Sequence, residues 1–129
     1  MTILIVEDNP TNGMIIRHLA KKVHDGEIHL EENPVQALAR CQKEHFELLI
    51  VDQVMPGMSG TQFTRSVRML DHLKDVPVVM VTADHSDIVE ALAREAGVTD
   101  FLTKPVEAIA FRRLISTLLH MNSARTSAA

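Results

Sequence analysis

Apolar and polar positions follow two alternating regimes along this chain. Residues 3–6, Ile-Leu-Ile-Val, form a short unbroken apolar run, the pattern of a strand covered on both faces of a parallel sheet. Asn9 and Pro10 follow, an N-cap residue with proline at the first helical position. Ile15, Ile16, Leu19, Ala20 and Val23 then recur at helical spacing, with Arg17, Lys21 and Lys22 off the stripe. Gly26 ends that helix, and residues 28–30 read as a second, weaker strand. Asn33 and Pro34 repeat the cap-and-proline signal and open a helix running through about Glu44.

Residues 48–51 are the third apolar run, followed by a turn at Met55-Pro56-Gly57. Phe63, Val67 and Leu70 place a third helix. Pro77 leads into a fourth strand over 78–81. Ile88, Ala91, Leu92 and Ala96 mark a fourth helix, with Gly97 where a C′ glycine belongs. Phe101 and Leu102 give a short fifth strand, and Phe111, Leu114, Ile115 and Leu118 share one face of a last helix. Five strand-then-helix units predict a three-layer α/β/α domain, a parallel sheet with helices on both sides. The domain is expected over 1–121, with 122–129 a disordered tail or the start of a linker.

Composition narrows the class. The 129 residues suffice for one core, and 46% apolar with 23% charged is a globular balance. A formal charge of −4 gives no basic footprint for nucleic acid or an anionic membrane. The longest apolar runs are too short to span a bilayer, and Glu7 and Asp8 come too early for a signal peptide. The single cysteine, Cys41, cannot form an internal disulfide and fits a reducing cytoplasm. Three residues after Leu38 on a helix, it reads as a buried, inert thiol.

The chemistry-bearing residues gather at strand ends. Glu7 and Asp8 follow strand one, Asp52 ends strand three, Thr82 ends strand four, and Lys104 follows strand five. In open α/β sheets, sites form beyond the carboxyl ends of the strands. If strands one and three are neighbours, three carboxylates meet in one pocket and repel unless a cation joins them. A hard divalent ion such as Mg2+ fits an all-oxygen set. A carboxylate nucleophile, a metal, a lysine and a hydroxyl are the parts needed to form an aspartyl phosphate.

The sequence resembles the receiver domain of two-component response regulators over residues from about Thr2 to Met121. The matching pieces are Ile5-Val6-Glu7-Asp8-Asn9, Val51-Asp52, Met55-Pro56-Gly57-Met58-Ser59-Gly60, Val81-Thr82-Ala83 and Lys104-Pro105, in this order. The resemblance implies a flavodoxin-like fold with strand order 2-1-3-4-5 and Asp52 as phosphoacceptor. It implies that Glu7, Asp8, Asp52 and the backbone carbonyl of Val54 hold Mg2+, for which Mn2+ would substitute. Thr82, Ala83 and Lys104 would bind the phosphoryl group, and Thr82 and Phe101 would be the switch pair. The implied phosphoryl donor is a sensor histidine kinase or a histidine phosphotransfer protein docking near the first helix. The implied readout is an output domain in cis or a partner in trans, through the face of helix four, strand five and helix five.

Departures from the family pattern sharpen the expectation. Phe101 stands where tyrosine is common, so a switch there works by packing alone. Val54 is apolar and cannot position a hydrolytic water. Asp84 either does so or caps the next helix. Arg112 and Arg113 do not fall where the dimerising DNA-binding subfamily places its arginine. Val54 also argues against a haloacid-dehalogenase-type enzyme, which wants a second acid two residues after its nucleophile. A flavodoxin-like cofactor module lacks its phosphate loop here, since Asn9-Pro10 follows strand one. Seven histidines form no zinc-type pair and read as mostly solvated. His85, three residues past Thr82, is the exception, placed to tune phosphoryl stability.

Overall fold

The computed structural model describes residues 2–128, with side chains described through Met121. The order of elements is β1 (Thr2–Val6), α1 (Pro10–Lys21), β2 (Glu27–Glu31), α2 (Pro34–Lys43), β3 (Leu48–Asp52) and α3 (Gly60–Val67). A single 3-10 turn (Asp71–Leu73) comes next, then β4 (Val78–Thr82), α4 (Asp87–Ala96), β5 (Asp100–Thr103) and α5 (Ala108–Ala128). The strands form one parallel sheet in the order β2-β1-β3-β4-β5.

Strand parity divides the core into two layers. Leu4, Val6, Leu49, Val51, Val78 and Met80 face α2, α3 and α4, where Ala37, Cys41, Phe63, Val67 and Ala93 meet them. Ile3, Ile5, Leu48, Ile50, Val79 and Val81 face α1 and α5, against Ile16, Ala20, Phe111, Ile115 and Leu118. Both faces of β3 and β4 are therefore apolar, which is why their sequences show no alternation.

Local chemistry sets the helix starts. The Asn9 and Asn33 side chains accept from Asn12 N and from Val35 and Gln36 N, each ahead of a proline. Ser59 opens α3 with a reciprocal capping box to Gln62, and Ser86 caps α4 through Val89 N. Gly97 closes α4 with φ +113, a left-handed value that favours glycine. Arg68, at the end of α3, clasps that turn. Its Nε and Nη2 donate to the Gly97 carbonyl at 3.1 and 2.7 Å, and its Nη1 donates to the Leu73 carbonyl at 3.0 Å.

One expectation meets a different structure. The third helix stops at Val67: Met69 and Leu70 N–H close tighter turns onto Ser66 and Val67, and Leu70 then turns extended (φ −90, ψ 119) into the 3-10 turn. The α5 backbone continues from Asn122 to Ala128, and no glycine or proline follows Pro105 to stop it. Ala129 lies outside the described residues. Among the described residues no helix is long and apolar enough to cross a membrane.

Candidate functional site

The sheet's register builds the site. Val6 pairs with Val51, so the residues leaving the two strands, Glu7 and Asp52, emerge side by side. Glu7 N–H donates to the Glu31 carbonyl at 3.1 Å, Gln53 N–H to Val81 at 3.1 Å, and Lys104 N–H to Thr82 at 3.1 Å, so pairing continues just past the strand ends. By parity Glu7, Asp52 and Lys104 continue the rows of Ile5, Ile50 and Leu102, on the α1/α5 face. Thr82 and Phe101 belong to the opposite rows, toward α4. Glu7, Asp52 and Lys104 thus lie on one face of this sheet end, and Thr82 and Phe101 on the other.

Glu7 and Asp52 are buried, 1% and 5% exposed, while Asp8 is half-buried. Ligand oxygens of all three lie within 4.8 Å of one another. Lys104 Nζ is 3.0 Å from Asp52 Oδ2 and 3.2 Å from Glu7 Oε1. The second contact is an ion pair by distance only; its angle leaves the buried Glu7 Oε1 without a hydrogen-bond donor. Burial, then the neighbouring Asp52, pushes the Glu7 carboxyl up to about 7, against the opposing pull of Lys104. Burial alone would depress Lys104, but its contact with Asp52 and then the charge of Glu7 hold it above its ordinary value. A buried carboxylate oxygen with no donor, beside two further carboxylates, is a donor set that fits a hard divalent cation such as Mg2+.

The loop after β3 is set by backbone contact. Val54 N–H approaches Asp52 Oδ1 at 3.4 Å, and the Val54 side chain is 77% exposed. Gly60 packs so closely that a Cβ there would lie 2.5 Å from the Asp52 carbonyl oxygen. Thr61 N–H and hydroxyl both donate to Gln53 Oε1, at 2.9 and 3.0 Å, which ties the start of α3 to the residue after Asp52. Gly60 enters the sequence reading only as the last residue of the Met55–Gly60 match, and Gln53 not at all, since both act through a fold-dependent close approach.

The β4 exit is a different arrangement. The buried Thr82 hydroxyl accepts from Asp84 N–H at 3.0 Å and donates to the Asp84 carbonyl at 3.3 Å, so it is turned into its own loop. Asp84 Oδ1 accepts from Ser86 N–H at 2.9 Å, an Asx turn that orders the entrance of α4, whose N-cap is Ser86 itself. Ala83 is exposed beside Thr82. Phe101 is half-buried on β5, with the Arg94 guanidinium 4.9 Å from its ring centre. The Lys104–Pro105 peptide bond is cis. Cys41 is buried and free, as expected, and burial pushes its thiol up to about 12.

Comparison with known proteins agrees with this geometry. Residues 3–116 match the family model described as the response regulator receiver domain. The chain is 34% identical over 120 residues to the chemotaxis protein CheY of Pseudomonas aeruginosa, covering 92% of this chain and 95% of that one. It is 32% identical over 122 residues to the cyclic di-GMP phosphodiesterase response regulator RpfG of Xanthomonas campestris pv. campestris, covering 94% of this chain but only 32% of the relative. Among solved structures, it resembles the receiver domain of the sensor histidine kinase PA1611 of P. aeruginosa PAO1, which has a magnesium ion coordinated in its active site cleft. That match has a TM-score of 0.82 and 25% identity, covering 92% of this chain and 97% of that one. A TM-score of 0.84, at 27% identity and covering 94% and 90% of the two chains, relates it to a co-crystal structure from Saccharomyces cerevisiae. That structure holds the histidine phosphotransfer protein Ypd1 and the receiver domain of its downstream response regulator Ssk1. The register that brings Glu7, Asp52 and Lys104 together and the match across residues 3–116 lead to one conclusion: this chain belongs to the response regulator receiver domains of two-component signalling.

Proposed function

We propose that Asp52 accepts a phosphoryl group from a phosphohistidine on a sensor histidine kinase or a histidine phosphotransfer protein. Glu7, Asp8, Asp52 and the backbone carbonyl of Val54 would hold Mg2+, with Mn2+ as a substitute. The observation that carries the reading is the Asp52 carboxylate, buried against Lys104 at 3.0 Å and beside the donor-less Glu7 oxygen.

An Asp52 carboxylate oxygen attacks phosphorus, the P–N bond of the donor breaks, and the departing imidazole keeps that electron pair and takes up a proton. Mg2+, when bound, supplies neutralisation of the negative charge gathered there. Lys104, already 3.0 Å from Asp52, offers its ammonium to a phosphoryl oxygen. The Thr82 hydroxyl and the Ala83 N–H serve other oxygens, for which Thr82 has to leave Asp84. Phe101 then repacks between Arg94 and the core beneath α4. The phosphate is a local charge change that biases a two-state surface, read by an output domain in cis or a partner in trans. On this reading the chain is a cytoplasmic switch that catalyses its own phosphorylation and dephosphorylation. Residues 1–121 form the phosphoacceptor unit.

Intact-mass analysis after incubation with acetyl phosphate and Mg2+ tests the reading. One added phosphoryl group is expected, absent from Asp52→Ala and from a chelated sample. An unmodified wild type, or a modified Asp52→Ala, overturns it.

A further inference from the structure

His85 joins three elements that the acidic pocket does not otherwise connect. It lies in the loop between β4 and α4. Its Nε2 is 3.2 Å from the Thr82 carbonyl oxygen and 3.0 Å from Thr103 Oγ1 on β5. Its Nδ1 is 3.1 Å from Glu90 Oε1 on α4. Its ring stands edge-on to Phe101, with centroids 6.4 Å apart and planes at 69°. A carbonyl and a carboxylate only accept, so each of these two contacts takes its hydrogen from the ring. The Thr82 carbonyl also accepts the Lys104 N–H at 3.1 Å. Its two acceptor positions are thus occupied, one by the exit of β5 and one by His85.

The same residue carries the hydroxyl that has to move. Thr82 Oγ1 is bonded to Asp84, one residue before His85, so turning it toward Asp52 displaces the loop that carries both. The His85 contacts tie that loop to β5 and α4 in its present place.

We propose that His85 is a positioning residue that holds the β4–α4 loop in the unphosphorylated arrangement, so that its bonds to Thr82, Thr103 and Glu90 break before Thr82 and Phe101 switch. His85 itself does not touch the phosphoryl group. The inference rests on the reading of Asp52 as phosphoacceptor. Removing His85 therefore favours the switched arrangement. The loss of two or three partly exposed hydrogen bonds corresponds to roughly tenfold in that equilibrium.

The test is a calorimetric titration of the full 129-residue chain with beryllofluoride in saturating Mg2+, as a mimic of the phosphoryl group. Wild type, His85→Ala, Glu90→Gln and the double variant are compared, together with their Mg2+ affinities without beryllofluoride. His85→Ala is expected to bind beryllofluoride roughly tenfold more tightly, with its Mg2+ affinity unchanged within about twofold. Glu90→Gln is expected to show part of the gain, and the double variant no more than His85→Ala alone. Equal or weaker beryllofluoride binding by His85→Ala overturns the proposal, as does a parallel shift in Mg2+ affinity. A wild type that binds no beryllofluoride in Mg2+ removes the Asp52 reading first, and this proposal with it.

Discussion

Lys104 Nζ stands 3.0 Å from Asp52 Oδ2, and the lysine is the cation that permits two buried carboxylates, Asp52 and Glu7, to adjoin. Lys104→Met leaves that pair without its counter-charge. Two opposite effects are expected from the one change. Mg2+ binds a fewfold more tightly, because a positive neighbour is gone. Beryllofluoride in saturating Mg2+ binds roughly a hundredfold more weakly, as a charge-assisted hydrogen bond is lost. Calorimetry on both ligands checks the two signs separately.

The Glu7 carboxyl, pushed up to about 7 by burial and then by Asp52, makes the metal-free protein pH-sensitive. The folded state holds this proton more tightly than the unfolded chain, whose value is near 4.5. Its stabilising contribution is therefore full below that value and lost as pH rises through about 7. Glu7→Gln keeps the uncharged form at every pH. Without Mg2+, its Tm relative to wild type should climb between pH 5 and pH 8. In the wild type, Mg2+ displaces the same proton, so its affinity should weaken toward about tenfold per pH unit below 7.

Gly60→Ala sets two effects against each other. Alanine is the better helix former, though by less than the about 1 kcal/mol of a helix interior, because Gly60 is the first residue of α3. Its Cβ, however, would lie 2.5 Å from the Asp52 carbonyl oxygen and 3.0 Å from Gln53 Cα, backbone atoms that cannot swing aside. Overpacking of this kind costs about 1–3 kcal/mol, and the start of α3 is tethered by the Ser59 cap and the Thr61–Gln53 bonds. A Tm roughly 5–10 °C lower is expected, with slower modification by acetyl phosphate. Thermal melts and intact-mass time courses read the two effects.

Cys41 should stay unlabelled by a maleimide at pH 8 in the folded protein and label fully in denaturant. Its thiol is buried in the core beside α2, pushed up to about 12, and its carbonyl accepts the His72 Nε2–H at 2.7 Å. Rapid labelling of the native chain would mean that α2 opens often.

The parts of this fold written in contiguous residues were readable before any coordinates. The apolar runs of β1, β3 and β4 and the Asn-Pro starts of α1 and α2 fall where the sequence places them. So do the carboxylates at the strand ends. Less legible were features that depend on distant neighbours. Nothing in the sequence singles out Arg68, yet it spends its guanidinium on the carbonyls of Gly97 and Leu73. His29 reads as solvated, yet its Nδ1 accepts from Arg40 at 2.7 Å, which leaves the proton on Nε2 toward Glu27 at 3.3 Å. His85 reads from sequence only as a residue three past Thr82, since its partners Thr103 and Glu90 come from elements that only the folded sheet brings beside it.

The clasp of Arg68 on Gly97 has a mechanical consequence. It pins the C-terminal end of α4 to α3, while the N-terminal end hangs from the loop that holds Thr82 and His85. A helix fastened this way behaves as a beam on a pivot. Displacing the loop tilts α4 about Gly97 and does not slide it along the sheet. Its ten residues span about 15 Å, so a tilt of about 10° carries the far end through about 2.6 Å and leaves Ala96 almost still. The widest arc falls in the first turn, where Ile88 is 74% exposed.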